Sequence, residues 1–230
     1  MIRDNFARIQ NQIAAVCKRL GRNPNEIILI GVTKFADVSK IQEAIDVGLR
    51  DIGENKVQEG QNKFPALKIS DFKVTKHLIG HLQTNKVKQA LEFFDLIHSV
   101  DSLKLAREIE KQAAKSGKNT DILIQVSTSG EEQKFGIAPS EVFSLIDEVG
   151  KLAHIRVLGL MTMAQLTEDK TIIRNCFKDL RILRDQIRQR FAGNHNVAMK
   201  YLSMGMSGDY EIALEEGSNM VRIGSAIFNQ

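Results

Sequence analysis

The chain has 230 residues, of which 43% are hydrophobic and 26% charged, and its formal net charge is +4. This is the composition of a folded globular protein, and its weak, dispersed positive charge suits an anionic ligand but does not indicate a nucleic-acid partner. No apolar run approaches the length of a membrane span, and Asp4 stands where a signal peptide needs an apolar core. Cys17 and Cys176 are far apart and form no zinc spacing. We therefore expect a cytoplasmic protein without a membrane or metal partner.

The first predicted elements are a helix and a strand. Over 2–20 the apolar residues recur at spacings of three and four, which predicts an amphipathic helix that ends at Gly21. The run 27–34, IILIGVTK, is almost continuously apolar or β-branched, which is typical of a strand buried on both faces of a parallel sheet. It ends in Lys34, and α/β barrels place their chemistry at the carboxyl ends of such strands.

Seven further strands follow, and helical patterns separate them. The strands are predicted at 49–54, 77–82, 96–100, 122–127, 155–163, 201–206 and 220–223, and the helices at 39–48, 56–64, 85–94, 102–116, from Pro139, 168–191 and 209–216. This alternation predicts parallel strands with right-handed crossovers. Eight units in this length favour an α/β fold of the (β/α)8 TIM-barrel type, with 1–230 as a single domain. An open doubly wound sheet is the alternative, because the pattern does not show closure.

Two turns near the end of the chain predict a phosphate site. Ser207 and Gly208 follow the seventh predicted strand, and Gly224 and Ser225 follow the eighth. Barrels often bind phosphate between these two loops, where glycine allows close backbone approach and serine offers a hydroxyl. Two ordinary turns with serine caps are the alternative. The presence of both turns in the correct two units favours phosphate.

A lysine and an arginine extend this hypothesis. Arg222 lies two residues before Gly224, so both face the same way on a strand, and an inward arginine is costly unless it is paired. The arginine could instead reach solvent or a carboxylate. A lysine amine in a low-dielectric rim can lose its proton and form a Schiff base with an aldehyde. Lys34 for the aldehyde, the two turns for the phosphate and Arg222 for the ring nitrogen are the parts that pyridoxal phosphate requires.

The remaining candidates indicate structure rather than chemistry. His77 and His81 are four apart on a predicted strand, a spacing that does not suit one metal ion. Met161 and Met163 more often fill a core than line a site. The basic residues of the longest helix recur at helical spacing without interleaved aromatics, which favours a solvated face over a nucleic-acid platform, although a docking surface stays open; they are Arg174, Lys178, Arg181, Arg184 and Arg188.

Seven stretches together resemble the pyridoxal phosphate homeostasis proteins, which are related to the N-terminal barrel of alanine racemase. They run from the first strand to the last helix: GVTK (31–34), IGENKVQEG (52–60), HLIGHLQTNK (77–86), IHSVDS (97–102), KFGI (134–137), GLM (159–161) and LSMGMSGDYEIALEEGSNMVRIGSAIF (202–228). The sequence departs from the family pattern at Ser225, where threonine is commoner, at Lys76, where tryptophan is common, and at 35–37, which replace a proline-containing turn.

The resemblance implies a (β/α)8 barrel that binds pyridoxal 5′-phosphate as a Schiff base on Lys34. The other matching positions are Ser207, Gly224 and Ser225 at the phosphate, Arg222 at the ring nitrogen, and Asn55 and His77 near the cofactor. The family is thought to buffer the cofactor or deliver it to pyridoxal phosphate-dependent apoenzymes. The resemblance therefore implies no dedicated catalytic residue.

Two enzymatic alternatives remain. An amino-acid racemase would use Lys34 as its base and needs a second acid or base on the opposite ligand face, for which the tyrosines available are Tyr201 and Tyr210. The chain stops directly after the barrel, without the second domain that completes a racemase site, so we expect a monomeric carrier with an open rim. An arginine also leaves the pyridine unprotonated and a poorer electron sink, although racemases use one too. A Schiff-base aldolase acting on a phosphorylated sugar would not explain Arg222.

Overall fold

A computed structural model describes residues 1–69, 73–129 and 135–228. Eight parallel strands follow one another around a closed barrel, and β1 pairs with both β2 and β8. The strands are β1 Ile28–Val32, β2 Asp51–Glu54, β3 Thr75–Leu78, β4 Leu96–Val100, β5 Thr120–Gln125, β6 Ile155–Met161, β7 Val197–Ser203 and β8 Met220–Ile223. The predicted (β/α)8 barrel is confirmed, and the open sheet is excluded.

The helices surround the barrel. Within the described residues the α-helices are α1 Ile2–Leu20, α2 Val38–Asp46, α3 Val57–Lys63, α4 Val87–Phe93, α5 Leu103–Ser116, α6 Val142–Val149, α7 Lys170–Arg190, α8 Tyr210–Glu215 and α9 Ser225–Phe228. None of them is long and apolar enough to cross a lipid bilayer. The predicted N-terminal helix is α1, and it ends as expected, with Gly21 in the left-handed conformation at φ 64°.

Several predicted strand boundaries are wrong. β1 ends at Val32, so Lys34 lies in a turn beyond the strand. β3 lies earlier than predicted, since its ladder with β2 runs from Thr75 to Leu78. β6 ends at Met161, two residues before the predicted end. β7 begins at Val197 rather than at residue 201. The sequence did not indicate this start, because the first residues of the strand alternate between buried and exposed and so lack a continuous apolar run.

The apolar core has two parts. The larger cluster lies between the strands and the helices, where α1 contributes Ile2, Phe6, Ile9, Ile13 and Val16. The smaller cluster is made of strand residues that point into the barrel: Ile30, Leu96, Leu123, Met161 and Met220. A small barrel is filled by such inward side chains, so it is a packed core rather than a pore. The polar groups that share this interior therefore need hydrogen-bond partners.

Helix α1 fastens the last units of the barrel. The side-chain amide of Asn5 donates to the carbonyl of Ile227 at 3.2 Å, and the Tyr210 hydroxyl donates to Gln12 Oε1 at 3.1 Å. Just after the helix, the Arg22 guanidinium donates to the carbonyls of Leu214 and Ser218 at 2.6 and 2.7 Å. These contacts hold α8 and α9 near β1, which pairs with β8 and so closes the barrel.

Candidate functional site

A cavity of about 520 Å³ opens at the carboxyl ends of the strands. The loops that follow the strands form its wall, as in other barrels of this type. Six of the seven predicted site residues line it: Lys34, Asn55, Ser207, Arg222, Gly224 and Ser225. Residues that the sequence places in four different units therefore share one cavity.

Lys34 lies on an exposed turn rather than on a buried strand. Its ammonium is 4.9 Å from the centre of the Phe35 ring, and Phe35 is 84% exposed. The turn is closed by a hydrogen bond from the Ala36 N–H to the Thr33 carbonyl at 3.0 Å. Asp37 then accepts from the Lys40 N–H at 2.9 Å and begins α2. Lys34 is exposed, so the expected low-dielectric setting is wrong.

Thr33, the residue before Lys34, is fixed by hydrogen bonds to Glu54 and Lys63. The hydroxyl of buried Thr33 donates to Glu54 Oε1 at 2.6 Å. The Lys63 ammonium donates to the Thr33 carbonyl and to Glu54 Oε1, both at 3.0 Å, and lies 2.9 Å from Glu59 Oε2. Burial alone would lower the pKa of Lys63, but hydrogen bonds to Glu59 and Glu54 outweigh burial and raise it. A stable cation thus anchors the turn that carries Lys34.

The two predicted phosphate turns meet. The hydroxyl oxygens of Ser225 and Ser207 are 3.3 Å apart, although the residues belong to different loops. A Cβ added at Gly224 would lie 3.3 Å from the carbonyl oxygen of Val32, a tight contact that would require the neighbouring strand end to shift slightly. The other turn is shaped by Asp209, whose carboxylate accepts from the Met206 N–H at 2.5 Å. The result is a small polar recess with two hydroxyl groups.

Arg222 is the buried cation of the cavity. It is 4% exposed, and its guanidinium donates to Ser203 Oγ at 2.7 Å and to the Thr162 carbonyl at 2.8 Å. Burial lowers its pKa to about 10, against the opposing effect of Asp209. The group is therefore charged at neutral pH. Because a guanidinium carries five N–H donors, Arg222 keeps donors for a ligand in the cavity that it lines.

Asn55 reaches the cavity through a tight contact between two loops. It follows β2, and Gly80 follows β3. A Cβ added at Gly80 would lie 2.2 Å from the main-chain oxygen of Asn55, which is closer than van der Waals contact allows. Only glycine lets the two loops pack in this way.

His77 does not line the cavity, so the expectation that it lies beside the cofactor is corrected. It is buried inside the barrel, with Nε2 2.9 Å from Asp51 Oδ1 and Nδ1 2.9 Å from His98 Nε2. It borders a second cavity of about 410 Å³ at the amino ends of the strands. The predicted strand began at His77, whereas β3 begins at Thr75, which places the histidine at mid-strand.

Two further lining residues were not among the predicted cofactor-binding residues. The rings of His81 and Phe135 stack with their centroids 4.1 Å apart and their planes 16° apart, and both line the cavity. The Gln125 amide donates to the Phe135 carbonyl at 3.0 Å. The GH pair at the end of the third predicted strand was the available signal for His81. Lys134 of the KFGI stretch lies outside the described residues.

The basic helix and the two methionines have partly structural roles. Arg174 and Arg181 of the basic helix pair with Glu215 and Glu216, so part of that face joins α7 to α8. Met161 fills the core as predicted, whereas Met163 lines the cavity. No group of three or more His, Cys, Asp or Glu side chains in the described part of the chain could hold a metal ion.

Comparison with known proteins identifies the family. The sequence model of the protein family described as alanine racemase, N-terminal domain, matches residues 5–230. A pyridoxal phosphate homeostasis protein of Aquifex aeolicus is 41% identical over 227 residues, which cover 99% of this chain and 97% of that protein. This chain belongs to the pyridoxal phosphate homeostasis protein family.

Solved structures extend the likeness. PipY of Synechococcus elongatus, solved with pyridoxal phosphate bound, superposes on this homeostasis-family chain with a TM-score of 0.86 at 30% identity, and each chain is covered completely. Alanine racemase of Clostridium difficile has a TM-score of 0.73 at 17% identity, and the match covers 96% of this chain and 56% of the racemase. That second likeness shows a shared fold alone.

Proposed function

We propose that this protein binds pyridoxal 5′-phosphate in the cavity at the carboxyl ends of the strands and contributes to intracellular homeostasis of the cofactor, without turnover of its own. The observation that carries the proposal is the convergence of Lys34, Arg222, Ser207 and Ser225 on one cavity. The names of the relatives, which describe homeostasis of a cofactor rather than a reaction, support it.

The residues present fit the cofactor. Pyridoxal phosphate supplies an aldehyde that condenses with a lysine amine, with loss of water, and a pyridine ring that draws electrons from the bond so formed. Lys34 is the lysine among the described residues of the cavity lining, and the recess of Ser207, Gly224 and Ser225 offers hydroxyl groups to a phosphate. Arg222, charged and with donors to spare, suits an unprotonated ring nitrogen, and Asn55 lines the same cavity.

The same geometry supports a carrier. An arginine donates to a pyridine nitrogen but does not protonate it, which limits the ability of the ring to stabilise negative charge. Neither tyrosine of the chain lines the cavity within the described residues: Tyr201 borders the cavity at the opposite end of the barrel, and the Tyr210 hydroxyl is bonded to Gln12. The chain thus offers no tyrosine as the second acid of a racemase.

An absorption spectrum after addition of pyridoxal phosphate tests the binding. We expect a Schiff-base band that borohydride fixes on the peptide containing Lys34 and that Lys34→Ala abolishes. Lys56→Ala is the matched control, because Lys56 is an exposed lysine of the neighbouring loop and does not line the cavity. Absence of the band, or a label on another lysine, would overturn the proposal.

A comparison of two ligands tests the phosphate recess. We expect the double substitution Ser207→Ala and Ser225→Ala to weaken pyridoxal phosphate roughly tenfold or more, since two hydrogen bonds to a charged group are lost. Binding of pyridoxal, which lacks the phosphate, should change little. Equal losses for both ligands would place the phosphate elsewhere.

Turnover separates the carrier from an enzyme. Loaded protein is incubated with amino acids in heavy water, and exchange at the α-carbon is followed by NMR. We expect no exchange above that of free cofactor with Lys34→Ala protein. Exchange that requires Lys34 would favour a racemase, whose N-terminal domain has the same fold.

The proposal also covers the oligomeric state of the protein, its location in the cell and the destination of the cofactor. We propose that residues 1–230 act as one monomeric domain in the cytoplasm and pass the cofactor to pyridoxal phosphate-dependent apoenzymes. The two buried free cysteines, Cys17 and Cys176, suit a reducing compartment. Size measurement in solution, cell fractionation and reactivation of an apoenzyme by loaded protein test the three parts separately.

A further inference from the structure

A chain of hydrogen bonds runs through the interior of the barrel. It starts at Arg222, which donates to Ser203 Oγ at 2.7 Å, and continues from Ser203 Oγ to His98 Nδ1 at 3.0 Å. His98 Nε2 is 2.9 Å from His77 Nδ1, and His77 Nε2 is 2.9 Å from Asp51 Oδ1. The middle residues Ser203, His98 and His77 are at most 1% exposed. The chain therefore joins the cofactor cavity to the cavity at the amino ends of the strands.

The two ends of this chain determine the direction of every bond in it. A guanidinium can only donate and an ionised carboxylate can only accept. Ser203 Oγ accepts from Arg222, and its partners among the described residues are Arg222 and His98, so its own proton goes to His98 Nδ1. The proton of His98 is then on Nε2 and is donated to His77 Nδ1. His77 in turn donates from Nε2 to Asp51.

The charges around the chain are consistent with this direction. Burial, the largest effect, and the nearby guanidinium of Arg222 keep the pKa of His98 well below its usual value, so its imidazole carries a single proton at neutral pH. Arg222 also experiences the charge of Asp209. The ionisable groups that border the far cavity with Asp51 and His77 are Lys73, Asp95, Asp121 and Tyr201.

Resting on the proposed function, we propose that Ser203, His98, His77 and Asp51 are positioning residues that hold Arg222 toward the ring nitrogen of the cofactor, and that the carboxylate of Asp51 supports this from the opposite end of the barrel. Hydrogen bonds that all point the same way polarise one another. A carboxylate at the end therefore makes Ser203 Oγ a stronger acceptor for Arg222. The affinity for pyridoxal phosphate in the cavity at the carboxyl ends of the strands is thereby linked to Asp51 in the cavity at their amino ends.

The direction can be tested before any ligand is added. Nitrogen-15 NMR of the imidazoles in the cofactor-free protein should show His98 and His77 both protonated on Nε2 and bare on Nδ1. In Asp51→Asn the chain ends in an amide that can accept or donate, so the nitrogens of His77 should shift toward the average of the two forms. A proton on Nδ1 of His98 in the unsubstituted protein overturns the proposal without reliance on any variant.

Binding measurements test the link. We expect Asp51→Asn to weaken pyridoxal phosphate roughly fivefold, the effect of about one neutral hydrogen bond. Asp95→Asn is the matched control, since Asp95 borders the same cavity but accepts from the Lys76 N–H, and it should leave the affinity unchanged. In Ser203→Ala protein, where the chain is cut beside Arg222, Asp51→Asn should have no additional effect.

The outcomes separate the two proposals. A Schiff-base band on Lys34 with equal affinities for Asp51→Asn and Asp95→Asn overturns the link but leaves the proposed function standing. Additive losses in Ser203→Ala and Asp51→Asn also overturn the link, because the two residues would then act independently. Absence of the band in the unsubstituted protein overturns both proposals.

Discussion

At the scale of single residues, the turn that presents Lys34 depends on a side chain that never reaches the cavity. Lys63 is 13% exposed and lies between the buried Glu54 carboxylate and the carbonyl of Thr33. Glu54 is fully buried, and its second oxygen has no hydrogen-bond partner within the described structure. Lys63 is thus the neutralising charge for a carboxylate that has no access to water.

We expect Lys63→Met to lower the free energy of unfolding by roughly 3 kcal/mol, because Glu54 would be left as an uncompensated buried charge. It should also reduce Schiff-base formation on Lys34, whose turn loses its anchor. Urea unfolding and the absorption spectrum measure the two effects. Lys151→Met is the control, since Lys151 also contacts two carboxylates but is 61% exposed, and the unfolding midpoint should move far less. Equal shifts would contradict the assigned role.

The contribution of Lys63 should depend on pH at the alkaline end. Its pKa in the folded protein is raised above the ordinary value of 10.5, since hydrogen bonds to Glu59 and Glu54 outweigh burial. A raised pKa means that the stabilisation is complete below the ordinary value and is lost as pH rises through the folded value. The difference in unfolding free energy between the natural protein and Lys63→Met should therefore stay constant near neutral pH and shrink above about pH 10.5.

At the scale of elements, the loops after β2 and β3 form one wall of the cavity because no side chain separates them at Gly80. We expect Gly80→Ala to cost about 1–3 kcal/mol of stability, since its Cβ would overlap the Asn55 main chain and push the loops apart. Affinity for pyridoxal phosphate should fall as Asn55 moves. Gly208→Ala is the control for stability, because no atom of the described residues lies within 4 Å of the added Cβ. Thermal unfolding of both variants provides the comparison.

The order and type of the elements could be predicted because strands and helices of this chain carry different periodicities. The apolar run of β1 and the three-four spacing of α1 are local signals. The boundaries of the elements were harder to predict. β7 alternates between buried and exposed residues at its start. Lys34 continues the apolar run of β1 in the sequence, although the pairing of that strand has already ended. The end of a strand depends on its neighbours, which a local pattern does not contain.

The candidate site also has a part that could be predicted from the sequence and a part that could not. Lys34 and the residues of the phosphate recess follow strand ends, and Arg222 lies near the end of β8, so counting strands was enough to bring them together. His98 and Asp51 gave no such signal, because their roles arise from contacts across the barrel between strands that are distant in sequence. His77 was assigned to the wrong cavity for the same reason.

At the scale of the whole molecule, the seam between β7 and β8 is a short part of the closed barrel. The register between β7 and β8 consists of one pair, Ser203 with Met220, whereas β5 and β6 are paired from Thr120 to Gln125. The buried hydroxyl of Ser218 reinforces the seam, since it lies 2.7 Å from the Met204 carbonyl and 3.0 Å from the Met220 carbonyl. The phosphate recess lies at the end of this seam.

We expect Ser218→Ala to destabilise the protein by about 1 kcal/mol and to accelerate amide hydrogen exchange at Met204 and Arg222, whose N–H groups bond across the seam. Amides of β5 should be unaffected, and pyridoxal phosphate should slow exchange at the seam. Ser116→Ala is the control, because that hydroxyl bonds only within its own helix end. Uniform acceleration along the chain would show that the seam has no separate stability.

Helix α1 has a consequence for the synthesis of the protein. Its partners α8 and α9 are about 200 residues away in the sequence, as the bond from Asn5 to the Ile227 carbonyl shows. At roughly 5–20 residues per second, a ribosome needs about 10–40 s to make the intervening chain. For most of that interval, the apolar stripe of Ile2, Phe6, Ile9 and Ile13 lacks those partners. The first helix to be made is therefore one of the last to complete its packing.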